Sequence, residues 1–263
     1  MHTPFALLGR RGALALACAA LLTACSSTPK DETAGMSVER VYSEARADAA
    51  AGNYERAIRL YERLEGRAAG SLLAQQALLE LAHTYYRSGE RAQALATIER
   101  YMKLYPASPA SDYALYLKGL INFNDNLGLF GRFSRQSLSE RDQQASKEAY
   151  QAFRQLVELY PESVYAADAQ ARMNFIVNSL AQYEVHVARY YFRRGAYLAA
   201  ANRAQLAVRE YQLSPAVEEA LYLMAQSYDR LGLPQLRDDA LRVLQRNFPQ
   251  SIYLGQAGMP RMN

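Results

Sequence analysis

Leu79-Glu-Leu-Ala-His-Thr-Tyr-Tyr-Arg-Ser-Gly-Glu-Arg-Ala-Gln-Ala-Leu-Ala-Thr-Ile-Glu-Arg-Tyr-Met-Lys-Leu-Tyr-Pro106 is the stretch that decides the fold. It reads as two short amphipathic helices joined by a turn. Ala82 and Tyr85 lie three apart on one helical face, a small residue that admits a partner helix and a ring that fills the gap beside it. Gly89 ends the first helix. Ala94, Ile98 and Tyr101 recur at the spacing of a second buried stripe, and Pro106, lacking an amide proton, stops it. This order of small, large and turn residues is the tetratricopeptide pattern, whose unit is about 34 residues.

The pattern recurs four more times. Ala45, Gly52, Tyr54, Ala57, Tyr61 and Leu64 carry it first; Ala149, Phe153, Leu156 and Pro161 carry it third. Ala188, Tyr191, Gly195, Tyr197, Ala200, Ala204 and Ala207 form the fourth copy, and Ala225, Tyr228, Gly232, Leu241, Leu244 and Pro249 the fifth. The expected fold is therefore all-α, a solenoid of about five helix-turn-helix repeats over 37–254. Arg237 stands where the other copies have alanine, so the last helix is expected to be displaced or to act as a cap. Most of the 20 tyrosines, in a chain with no tryptophan, fall at repeat positions where a ring packs between helices.

The segment 1–24 reads as an address. Arg10 and Arg11 precede a small apolar run from Ala13 to Leu22, too short to span a bilayer of about 30 Å. It ends Leu22-Thr23-Ala24-Cys25, which resembles the site at which a bacterial prolipoprotein is acylated on the cysteine. Ser26 follows, where an aspartate would resemble an inner-membrane retention signal, so outer-membrane sorting is expected. Two or three acyl chains on Cys25 tether a protein firmly, because each buried methylene adds about 0.8 kcal/mol. The remainder of 25–36 is a polar tether, with Ser37 placed to cap the first helix. Cys18 lies in the leader, so no internal disulfide is expected.

Removing the leader takes Arg10 and Arg11 from the 30 basic residues and none of the 26 acidic ones. The resulting balance, 28 against 26, argues against a nucleic-acid partner. His83 and His186 stand far apart, without metal-ligand spacing, and there is no phosphate-cradling glycine loop or nucleophile elbow. Glu162-Ser163 superficially resembles the Glu-Ser pair of lytic transglycosylases, but Ser163 follows Pro161 where a helix cap is natural. No catalytic residue, cofactor or metal is expected.

The third copy is interrupted at 123–142, where Phe130, Arg132 and Phe133 supply rings and charge that a solvated linker lacks. The insert is either a plug folded on the solenoid or an element that contacts a partner. Asp142 is placed to cap the helix after it.

At this point a family resemblance becomes specific. The acylation site, the five repeats, the insert ending Ser139-Glu-Arg-Asp142, Ala149-Tyr-Gln-Ala-Phe153, Tyr160 to Ala169 and Val187 to Arg203 together resemble the BamD family. That family is the lipoprotein subunit of the outer-membrane β-barrel assembly machinery. The fifth repeat and the tail 255–263 carry the likeness least.

The resemblance implies a non-catalytic scaffold, lipid-anchored in the outer membrane and facing the periplasm. Its N-terminal repeats would bind extended segments of unfolded outer-membrane proteins, with Tyr54, Tyr61, Tyr85, Tyr86 and Arg87 as groove candidates, Tyr54 and Tyr61 having a place in the core as their alternative. Its C-terminal repeats would dock the periplasmic domain of a BamA-like barrel subunit, alongside accessory lipoproteins. Arg203 is the first docking candidate, since arginine pairs bidentately with a carboxylate, followed by Arg193 and Arg194. The alternative is a periplasmic repeat lipoprotein that coordinates peptidoglycan synthesis or envelope constriction.

Overall fold

The computed structural model describes residues 32–123 and 140–256, and Cys25, Phe130, Arg132 and Phe133 lie outside them. Within the described residues the regular structure is all helical. The first repeat pairs α1 (Val38–Ala51) with α2 (Tyr54–Arg67), and the second pairs α3 (Leu72–Ser88) with α4 (Arg91–Leu104). α5 (Ser111–Asn122) and α6 (Glu140–Leu159) form the third, α7 (Ala166–Arg193) and α8 (Tyr197–Glu210) the fourth, α9 (Ala216–Arg230) and α10 (Pro234–Asn247) the fifth. A short α11 (Ile252–Gln256) closes the end, burying Leu254 and stacking Tyr253 on Tyr222 at 4.9 Å. The chain is a tetratricopeptide-repeat solenoid.

Local chemistry sets the helix ends. Ser37 and Ser71 accept hydrogen bonds from the Arg40 and Ala74 amides at 3.2 and 3.1 Å, satisfying donors that the first helical turn leaves free. Gly89 follows α3 at φ 86°, a left-handed conformation that lets its amide turn back to Tyr86 O at 3.2 Å.

The expected small and large positions are buried. Ala82, Ala94 and Ile98 have no exposed surface, and Ala149, Phe153 and Leu156 are equally buried in the third repeat. α10 is not displaced by Arg237. It packs through Ala240, Leu241 and Leu244, while Arg237 turns to the surface and pairs with Asp229 at 2.9 Å and Asp238 at 2.8 Å.

Two capping expectations are corrected. Ser163 donates to Asp112 Oδ2 at 2.7 Å and accepts from the Tyr165 amide at 3.2 Å, so it ties the α6–α7 turn to α5, and α7 starts later, after Tyr165. Asp142 lies inside α6, which has begun by Glu140.

One element departs from the repeat. α7 has 28 residues against 14 in α8, about 42 Å against about 21 Å at 1.5 Å per residue. Its first half buries Met173, Ile176 and Leu180 with Phe153 and Leu156 of α6. Its second half buries Val185 and Ala188 against Ala204 and Ala207 of α8. A single helix thus joins two cores.

Candidate functional site

The first helices touch one another, α1 with α3, α3 with α5, and α7 with α9, whereas the second helices make no comparable contacts. The first helices therefore line the inner side of the curve, and their faces form a trough. Side chains three or four apart on those helices share a face. On this basis α1 contributes Tyr42 and Arg46, α3 contributes Glu80, His83 and Arg87, and α5 contributes Tyr113 and Tyr116.

The rings run along the trough in sequence. Tyr113 meets Tyr165 at 5.4 Å and Tyr116 stacks on Tyr165 at 4.7 Å. Phe123 packs edge-on to Phe153 and Phe175, and the Arg172 guanidinium lies 4.8 Å from its centroid. The Tyr116 hydroxyl donates to Asp168 Oδ2 at 2.7 Å, and Arg172 Nε pairs with the same oxygen. Burial opposes the charge of Asp168, but Arg172 and Tyr116 together hold its carboxyl below the usual range. Burial pushes the Tyr113 hydroxyl up to about 12, helped by the nearby Glu80 charge. Burial likewise lowers His83, which favours its neutral form.

The five groove candidates separate. Arg87 lies 5.9 Å over the Tyr54 ring, so those two come together at the α3 end of the first repeat. Tyr86 is half-buried beside the core. Tyr85 turns toward its own repeat's partner, donating to Glu62 Oε1 of α2 at 2.7 Å. Tyr61 is a correction: it has no exposed surface, meets Tyr42 edge-on at 6.2 Å, and belongs to the core. Its position on the buried stripe of a second helix is the physical reason.

The Tyr61 hydroxyl is also buried without a hydrogen-bond partner among the described residues. An unsatisfied buried hydroxyl costs free energy, so Tyr61→Phe should raise stability by up to about 1 kcal/mol. Urea denaturation checks this; a loss of similar size would mean the hydroxyl has a partner in solution.

The docking candidates lie on the fourth repeat. Arg193 and Arg194 are exposed at the α7–α8 turn, Arg194 sitting 5.3 Å over Tyr190, itself 45% exposed. Arg203 on α8 pairs with Glu184 on α7 at 3.1 Å; the arginine side chain is 42% exposed and the glutamate 5%. The hydrogen bond that Arg203 donates to Glu184 is the first cause holding the guanidinium in its charged form. One side of the guanidinium is thus spoken for inside the chain, a partner that sequence spacing did not indicate. Across the next helix pair, Arg189 Nε donates to Glu219 at 2.9 Å.

Among the described residues no group of three His, Cys, Asp or Glu could hold a metal ion, and no helix is long and apolar enough to cross a membrane. His83 and His186 lie on different helices, half-buried and exposed respectively.

The model of the YfiO family, described as an outer membrane lipoprotein, matches residues 34–244. The chain belongs to this family. An "Outer membrane protein assembly factor BamD" of Neisseria meningitidis serogroup A is 47% identical over 244 residues, covering 91% of each chain. One of the same name from Xylella fastidiosa strain Temecula1 is 35% identical over 250 residues, covering 95% of this chain and 85% of its own. A crystal structure of a MamA protein superposes with a TM-score of 0.38 at 17% identity, over 86% of this chain and 98% of that one. The family match runs through α1 to α10, so it takes in both the trough and the Arg203 region.

Proposed function

We propose that this chain is a non-catalytic scaffold for outer-membrane protein assembly, anchored in the outer membrane through lipid on Cys25 and facing the periplasm. The relatives' shared name supports the assembly role. In this reading the trough receives extended segments of unfolded barrel proteins. The fourth and fifth repeats dock a barrel subunit's periplasmic domain, with Arg203 at the contact and Arg193 and Arg194 beside it.

The observation that carries the reading is the run of half-buried rings from Tyr42 through Tyr113, Tyr116 and Tyr165 to Phe123, interspersed with Glu80, Asp168 and Arg172. An extended strand presents alternate side chains to such a surface, rings to its apolar side and charged groups to its polar one. No residue of the trough is arranged as nucleophile, base and orienting group.

The test uses a photo-crosslinking side chain at Tyr116 in one variant and at Tyr85 in another, each carrying a C-terminal tag, in cells making β-barrel outer-membrane proteins. Adducts with those proteins are expected at Tyr116 and not at Tyr85. A β-barrel protein with periplasmic repeat domains should also come down with the tag. Equal adducts at both positions would remove the trough from the proposal. Recovery of cell-wall synthases with no barrel subunit would remove the assembly role.

A further inference from the structure

Glu80 lies at the middle of the trough and is half-buried on α3. Its backbone carbonyl accepts from Thr84 Oγ1 at 2.7 Å, yet its carboxylate enters no ion pair or hydrogen bond among the described residues. Glu44, Glu65, Asp168, Glu184 and Glu219, by contrast, each meet an arginine. A carboxylate removed from part of its water without a counter-ion carries a standing free-energy cost, which a cation placed beside it relieves.

Tyrosines surround it. α3 packs against α1, α2 and α5, and on those helices Tyr42, Tyr61 and Tyr113 have hydroxyls pushed upward by burial and then by the Glu80 charge. Tyr42 and Tyr61 meet edge-on at 6.2 Å, and the Tyr61 hydroxyl is a buried donor without a hydrogen-bond partner among the described residues. Aromatic rings and a carboxylate grouped together attract a cation through both the ring quadrupole and the charge. Three basic groups lie nearby. Arg46 lies over the Tyr42 ring at 5.9 Å, Arg87 lies over Tyr54, and His83 is held toward its neutral form by burial.

We propose that Glu80, with Tyr42 and Tyr113, forms a subsite for a cationic side chain, the ammonium of lysine or the guanidinium of arginine, carried by an extended segment in the trough. This rests on the trough reading above. It adds a specificity that the rings alone do not supply: a segment with a basic residue at the register facing Glu80 is held in preference to one with an isosteric apolar residue there.

The first experiment uses labelled ten-residue peptides alternating threonine with valine or tyrosine, with lysine, norleucine or glutamate at the centre. The lysine peptide should bind the purified chain about tenfold more tightly than the norleucine peptide, the range of a partly desolvated cation held by rings and charge. Glu80→Gln should erase that preference, so that the lysine and norleucine peptides bind it alike. Equal binding of the lysine and norleucine peptides overturns the subsite while leaving the trough intact. Failure of every peptide counts against the trough, and a second measurement then decides the subsite. n-Butylammonium is titrated against the chain while the ring resonances of Tyr42 and Tyr113 are followed. They should shift in the unmodified chain and lose that shift in Glu80→Gln; rings that do not respond overturn the proposal.

Discussion

Arg203→Gln should destabilise the folded chain by about 2–3 kcal/mol, although Arg203 sits on the surface of α8. The reason is its partner. Glu184 is 5% exposed and Arg203 is the cation that meets it, so removing the arginine leaves a buried carboxylate with nothing to offset its lost hydration. A fully buried pair broken in this way costs about 3–5 kcal/mol, and the half-exposed guanidinium moderates that by leaving a path for water. Glu184→Gln in the same chain should restore most of the loss, since the two amides no longer bury a charge. Urea midpoints of the two single variants and the double variant decide it. A single Arg203→Gln variant as stable as the unmodified chain would mean that Glu184 reaches water or another cation. The same reasoning bears on docking. Charge reversal at Arg203 would set a second carboxylate beside Glu184, so lost partner binding in that variant would report unfolding as much as a missing contact. The Glu184→Gln, Arg203→Gln pair keeps the fold and removes the cation, which makes it the cleaner measure of whether Arg203 docks a partner.

The repeats were legible because burial leaves a periodic trace. Gly52, Gly89, Gly195 and Gly232 each stand five residues before the first small position of the second helix, and Arg237 is the one exception at that position. It does not displace α10, which shifts its buried contacts to Ala240, Leu241 and Leu244 and so keeps its place. The length of α7 was open to view in one respect, since no glycine or proline interrupts Ala166 to Arg193. The tetratricopeptide period drew attention to its second half alone. Groove residues were harder, because a tyrosine on either helix of a repeat looks alike in sequence. Tyr61 and Tyr42 differ in placement through one fact, that the first lies on a second helix facing inward and the second on a first helix facing the trough. Tyr113, Tyr116 and Tyr165 were passed over for the same reason: their neighbours belong to other repeats, up to 52 residues away. The partner of Arg203 lies 19 residues away across a helix pair, at no spacing that a helix face would reveal.

Alanine at position 119 should be nearly as costly as loss of Arg203, about 2 kcal/mol, and should disturb the trough as well. Gly119 is buried in α5 where that helix crosses α6, and an added Cβ would fall 2.6 Å from Phe153 Cδ1 and 2.7 Å from Cζ. Its helical φ needs no glycine, and alanine is the better helix former by about 1 kcal/mol, so the penalty is wholly one of space. A ring at the surface would swing aside. Phe153 has no exposed surface and is held by Tyr116 and Phe123, each with its centroid 6.1 Å away. The helices must therefore separate, and overpacking of this kind costs about 1–3 kcal/mol, partly offset by the better helix propensity. Because Tyr116 and Phe123 also face the trough, they move with the ring. Crosslinking of extended segments through position 116 should fall in Gly119→Ala even under conditions where the chain stays folded. Phe153→Leu removes the clashing ring edge and should recover stability in the Gly119→Ala background while being destabilising by itself. Crosslinking, however, should stay low, because leucine does not support Tyr116 and Phe123 as the ring does. Recovery of both together would show that helix spacing alone shapes this part of the trough. Gly119→Ala with unmodified stability would show that α5 and α6 separate freely, and the packing argument would fail.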